Sequence, residues 1–423
     1  MATTERRFSR RAALSATATG LLGAGLVAAA PSVATAAPPP GKGPAKGWSG
    51  FISVKDHGAK GDGTTDDTAG VAAAIAAAAT AGGGVVVFPP GTYVRTGTWE
   101  LPPRVWIQGA GQGATMIKVA DGSPSVTVFG LGQDVTDTRI TDLTIDGNKG
   151  AQTTSGFGIV GWHSHGNLIS HVTVHNQNGI GIGLSGCWDW VVTDCVVEGS
   201  GNYQPGVWCD VDTGEDPWNR GGHRFERLVC RENDLDGLIC NSPNCTIIDS
   251  DFVGNGVNVP SSSGALGAGG IYNDHVTRGT VVANCRFGGN TEFGLNMVLS
   301  HSTVEGNVAE LNALSGLHVR AGSSHVTFSG NVCRDNGTAS STVTAYSNSG
   351  ISFDNSSHLT ITGNECSDDR SAPTQEWGVH ALDYTGTSHH VLVVGNTLSP
   401  NKYGSENLTD SDAHTAKVVM ANQ

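Results

Sequence analysis

One feature constrains this chain more than any other: it repeats itself. From about Arg139 onward, short β-rich runs recur at intervals of about 22–34 residues. The runs Ile140–Ile145, Val191–Val196, Thr246–Asp251, Thr280–Cys285 and Leu359–Asn364 each open one unit. Each is followed by an Asn or Gly corner and then by a second short strand that starts at a glycine. Such units cannot bury their apolar faces alone. They must stack, and stacked single strands with polar corners give a parallel coil about an apolar bore. The expectation is an all-β, single-stranded right-handed parallel β-helix of about ten coils, with an N-terminal capping helix.

The corners agree with a coil. Gly306–Asn307, Gly330–Asn331, Gly363–Asn364 and Gly395–Asn396 fall at one place in their units. Asn tolerates left-handed backbone, and its amide can bond the Asn of the next coil, which predicts a side-chain ladder. Sixty glycines do not indicate collagen here, because no three-residue period accompanies them. Nine cysteines all lie beyond residue 186. Their spacings along the chain offer no zinc motif, and their recurrence at similar points of successive units reads as small apolar residues stacked in the bore.

The first residues read as an address. A charged start containing Arg10 and Arg11 precedes an apolar run from Ala12 to Ala30, and Ala34–Thr35–Ala36 is a small-x-small cleavage site. The paired arginines suggest a twin-arginine leader, with a general secretory leader as the alternative, and either implies an exported bacterial protein. The expected organisation is a leader over 1–36, a linker over 37–50, a cap and first coils over 51–138, further coils over 139–399 and a polar tail over 400–423. The chain carries 24 basic and 38 acidic residues. A leader ending at Ala36 removes four arginines and one glutamate, leaving 20 against 37, a net −17. That balance argues against nucleic acid or an anionic membrane as a partner.

An open coil end exposes bore and strand edge, so it needs a cover. Asp66, Asp67 and Thr68 can cap a helix through Ala72–Ala78 that stops at Gly82–Gly84, followed by a buried strand at Val85–Phe88. This stretch resembles a known family. Phe51–Thr68, Gly82–Tyr93 and Gly109–Ile117 are similar to the N-terminal signature of pectate-lyase-superfamily β-helices, a group of rhamnogalacturonase- and epimerase-like enzymes and tailspike depolymerases. The resemblance implies the fold and a polysaccharide or oligosaccharide partner, with the protein a monomer or homotrimer. It does not imply which reaction, since one capping module serves hydrolases, lyases, epimerases and binders. Asp62, Asp66 and Asp67 are expected to be structural.

Aligning the second strand of each unit on its opening glycine locates the working face. The next residue is Val207, Leu238, Ile271, Leu295, Leu317, Ile351 and Val379 in turn, so it must face the bore. Side chains alternate along a strand, so the following column points outward: Trp208, Ile239, Tyr272, Asn296, His318, Ser352 and His380. Two residues further lie Asp210, Asn241, Asp274, Val298, Arg320, Asp354 and Leu382, with Asp212, His275 and Asp383 just beyond. Insertions at 213–222 and 256–268 could wall this face, with Glu215 and Trp218 in the first and His223 just after it as candidates to reach in.

Three functions compete. A glycoside hydrolase would use Asp210, Asp212 and Asp274 as paired acid and base, with His275 and His318 orienting them, because inverting enzymes hold two carboxyls about 6.5–9.5 Å apart. Trp208, Asn241, Tyr272, Asn296, Asp354, His380, Glu215 and Trp218 would contact sugar. A polyuronate lyase would use Arg320 as base and hold Ca2+ on Asp210, Asp212 and Asp274. A non-catalytic glycan binder would use the same aromatic and histidine columns. One arginine and no lysine on the face favour hydrolysis, for which no cofactor is expected. His163 and His165 read as a turn, because no third ligand lies near them in sequence.

Overall fold

The computed structural model describes residues 50–211, 220–258, 268–338, 348–382, 385–408 and 418–420. Over these the chain winds as a parallel β-helix. One continuous ladder network contains 25 strands, and a second sheet stacks twelve, and every strand pairing is parallel. The second sheet begins with Trp99–Glu100 and Phe129–Leu131, so coils form within 51–138, the region expected to hold the cap and first coils. Among the described residues no helix is long and apolar enough to cross a membrane.

The glycine-aligned column faces the bore as expected: Val207, Leu238, Ile271, Leu295, Leu317, Ile351 and Val379 are all fully buried. Phe252 and Phe287 stack at 5.6 Å inside the same core. All nine cysteines are buried and unbridged.

The corner ladder forms, with its roles divided differently from the expectation. The glycines take the left-handed backbone, with φ of 63° at Gly306 and Gly363 and 61° at Gly330. The asparagines turn inward instead. The Nδ2 of Asn307 donates to Oδ1 of Asn331, Asn331 to Asn364, and Asn364 to Asn396, each at 2.9 Å. A second ladder runs through Asn233, Asn255, Asn290, Asn312, Asn336 and Gln375, with side-chain contacts of 2.9–3.2 Å. On the opposite, solvent-facing side, the exposed rings of His301, His325, His358 and His390 stack at 4.4–4.6 Å.

The cap helix spans Thr68–Thr80. Asp66, not Asp67, accepts the Thr68 N–H at 3.0 Å. Asp67 is buried and binds the backbone N–H groups of Lys60 and Gly61, fastening the preceding loop. Asp62 accepts from Thr64 and Thr65. All three carboxylates therefore serve local structure. Gly109 is also sterically required: a Cβ there would lie 2.1 Å from the carbonyl oxygen of Asp142 in a neighbouring coil.

Candidate functional site

The outward column is a physical ladder. Trp208 pairs with Ile239, Ile239 with Tyr272, Tyr272 with Asn296, Asn296 with His318, His318 with Ser352, and Ser352 with His380. Its centre is not solvent-facing, which corrects the expectation. Tyr272 is 6% exposed, and Asn296 and His318 are 2% exposed. The reason is mutual cover. The Arg320 guanidinium lies over the Tyr272 ring at 4.5 Å, and Phe293 stacks on His318 at 4.9 Å. The ends stay more open: Trp208 and His380 are partly exposed, and Asp274 and His275 are exposed.

Tyr272 is the best-held group. Nη1 of Arg320 donates to its hydroxyl at 3.0 Å, and its hydroxyl also engages the Asp274 carboxylate. Burial, with Asp274 adding to it and Arg320 opposing it, pushes the phenol up to about 12. It therefore remains protonated near neutral pH and can donate. Nη2 of Arg320 also donates to the carbonyl oxygen of Asn273. Asn273 is itself fixed, its Oδ1 accepting from Val298 N at 2.7 Å. Arg320, expected as the base of the elimination reading, is held by the Tyr272 hydroxyl and the Asn273 carbonyl.

His318 is neutral. Burial, reinforced by the Arg320 charge, lowers it to about 3, and its Nδ1 lies 2.9 Å from the Ser352 hydroxyl. Between His318 and Tyr272 sits Asn296, whose buried amide nitrogen and oxygen have no hydrogen-bond partner. The buried Nε of Arg320 has none either. Arg320 follows directly on the strand that pairs with the rung carrying Asn296 and reaches past that rung to Tyr272, so these unsatisfied groups lie on adjacent rungs. Leaving such groups unpaired costs about 1–3 kcal/mol each, a cost that a bound acceptor removes.

Other expected residues play different parts. Asn241 uses Oδ1 to accept the Asp274 N–H at 2.7 Å, so it positions the carboxylate. Asp354 is buried and bound by the N–H and hydroxyl of Thr385. His380 Nε2 lies 3.0 Å from Asn407. Asp210 sits two rungs from Asp274, with Oδ1 accepting from Val211 N at 2.8 Å. Asp212, Glu215 and Trp218 lie outside the described residues, as does Asp383. His223 does not reach this face; it is fully buried in the bore, which lowers it to about 4. His165 stacks on Trp188 at 4.4 Å, consistent with a turn. Sequence reasoning missed Asn273 and Phe293, and placed Ser352 on the outward face without giving it a role. Asn273 did carry a signal: it is the one amide in a bore column otherwise filled by Cys209, Cys240, Met297, Val319, Phe353 and Ala381.

The calcium set of the elimination reading includes Asp212, which lies outside the described residues; among the described residues no three carboxylates come within ligand reach of one another.

Comparison with known proteins agrees with this architecture. Residues 51–138 match the family described as rhamnogalacturonase A/epimerase, pectate lyase-like, and residues 218–348 match the right handed beta helix region. The chain is a right-handed parallel β-helix protein, and the pectate-lyase-like match is confined to its N-terminal segment. Alginate lyase 7 of Azotobacter vinelandii is 36% identical over 108 residues, which are 23% of this chain and 13% of that protein. Mannuronan C5-epimerase AlgE4 of the same organism is 32% identical over 109 residues, covering 23% of this chain and 20% of its own length. The chain thus matches a fifth or less of either relative. The A-module structure of AlgE4 is covered completely, against 87% of this chain, with a TM-score of 0.67 at 22% identity. Tailspike protein 3 of bacteriophage CBA120 gives 0.58 at 18% identity, over 88% of this chain and 61% of its own. These structural likenesses establish the fold.

Proposed function

We propose that this β-helix protein is an exported enzyme that moves a proton next to the carboxylate of a uronate polysaccharide, causing elimination or epimerisation. One observation carries the reading: a protonated Tyr272 phenol held between the Arg320 cation and the Asp274 carboxylate, beside the unsatisfied amide of Asn296. A substrate carboxylate against Asn296 Nδ2 and Arg320 Nε would satisfy buried donors and make the adjacent C–H more acidic. His318, uncharged and pinned by Ser352, is available to accept that proton, and an incoming carboxylate raises its basicity. Tyr272 then donates. Donation to the departing glycosidic oxygen completes elimination, with the C4–O bond broken and a C4=C5 bond formed. Donation to the opposite face of C5 completes epimerisation. Matches to an alginate lyase and to mannuronan epimerases support a uronate substrate. Hydrolysis is less well supported, because its second carboxylate would be Asp212 or an Asp210 already bonded to the backbone.

The test is incubation with mannuronan, alginate and polygalacturonate. Product is followed by the ultraviolet absorbance of unsaturated uronate and by proton exchange into C5 from deuterated water. Tyr272→Phe should lower kcat by about 10²–10⁴, the range for loss of a general acid. Reducing ends released from a neutral glycan without either signal, or a fully active Tyr272→Phe, would overturn the assignment.

A further inference from the structure

Three cysteines that are scattered in sequence meet inside the bore. Cys209 and Cys240 face each other in adjacent rungs of the site-bearing sheet, and Cys245 enters from the turn that follows. The three Sγ atoms all lie within 4.8 Å of one another, and all three residues are fully buried. Beside them is Ser242, also fully buried, whose hydroxyl lies against the Cys209 thiol yet has no hydrogen-bond partner. The thiols of Cys240 and Cys245 meanwhile point at the Ser242 carbonyl oxygen, at 3.8 and 3.2 Å. Simple stacking of small residues explains two neighbouring cysteines. It does not explain a third brought in from a turn, nor a buried hydroxyl set against one of the thiols.

We propose that Cys209, Cys240 and Cys245 form a structural site for a thiophilic divalent cation of the zinc class, with the Ser242 hydroxyl as fourth ligand. Four ligands at zinc–sulfur distances of about 2.3 Å need sulfurs about 3.8 Å apart, so the observed cluster has to contract by at most about 1 Å. Loading replaces three S–H protons: Zn2+ and three thiols give a zinc trithiolate of charge −1 and three released protons. A monovalent ion would leave −2 in the same apolar bore, so charge favours the divalent class. The location gives the ion a purpose. Cys209 lies between Trp208 and Asp210, and Cys240 adjoins Asn241, which holds Asp274. An ion here would tie together the floor of the recess from inside.

The experiment uses the full chain expressed with zinc and purified without chelator. Elemental analysis should find a single equivalent of zinc. Cobalt exchanged into the protein should give the visible bands of a tetrahedral thiolate site, and cadmium a near-ultraviolet thiolate band. Cys245→Ser should lose these signals, whereas Cys333→Ser, at a distant pair of bore cysteines, should keep them. The wild-type cobalt spectrum decides the matter even if Cys245→Ser folds poorly. Failure to retain zinc or cobalt, with nine reactive thiols on denaturation, would overturn the proposal. So would a disulfide joining two of the three.

Discussion

Asn331 is the position at which the helix's own glue can be measured. Its side chain is fully buried and makes four hydrogen bonds. It accepts from the backbone N–H of Asn307 at 3.0 Å and from that residue's Nδ2 at 2.9 Å. It donates to Val304 O and to Asn364 Oδ1, both at 2.9 Å. Asn331→Ala removes all four. Two of the abandoned groups keep another partner: Asn307 Nδ2 still reaches Val282 O, and Asn364 Oδ1 still receives the Asn331 N–H. At about 0.5–1.5 kcal/mol net per buried bond the loss is about 2–6 kcal/mol, with about 4 the central value. Asn178→Ala, which deletes one bond near the surface to Thr154 O, is the control and should cost about 1 kcal/mol or less. Stacked repeats need not unfold in one step, so urea denaturation by circular dichroism should be paired with amide exchange at Val308 and Val332. A cost for Asn331→Ala no larger than that of the control would show that the ladder records geometry and adds no stability.

Further outcomes follow from the same structure. His318 and His223, lowered by burial to about 3 and about 4, protonate in the unfolded chain before the folded one. Stability should be intact above about pH 6.5 and fall as pH drops toward 4, at ~1.4 kcal/mol per unit for each histidine. His223→Gln should flatten that limb, and equal stability at neutral and acid pH would refute the sign. Glu310 is gripped by Arg286 and Arg334 across three rungs, and those contacts lower its carboxyl. Both arginines are 53% exposed, so Glu310→Gln should cost less than about 1 kcal/mol, and less still in high salt. Asn296→Ala should raise KM for an anionic polysaccharide more than for its reduced, neutral form. Equal effects on the two would remove Asn296 from carboxylate binding.

The fold was legible because a coil writes its constraints into the sequence at fixed intervals. Val207, Leu238 and Ile271 could only face inward once the glycines before them were aligned, and they do. The second amide ladder was equally readable: Asn233, Asn290 and Asn312 each stand four residues before a strand-opening glycine. What failed was the attribution of a conformation. Left-handed backbone was assigned to the corner asparagines, but the preceding glycine adopts it at no steric cost, which frees the asparagine side chain for the ladder.

The site was legible in position and less so in role, for a physical reason. Strand alternation says which way a side chain leaves the sheet, but not how far a long one then travels along the stack. Arg320 reaches back two rungs to Tyr272, and no spacing rule anticipates that contact. It changes the chemistry. An arginine counted alone on an acidic protein argued against an anionic substrate, whereas one that is partly buried, committed to a phenol and left with an unsatisfied Nε is, in the proposed function, a local anchor for an anion. In a recess of low dielectric the nearest charges outweigh the net charge of the molecule. The same blindness to the stacking direction hid the thiol cluster. Cys209 and Cys240 are thirty-one residues apart in sequence yet neighbours across a rung. In a solenoid, chemistry assembles along the axis, at right angles to the direction in which a sequence is read.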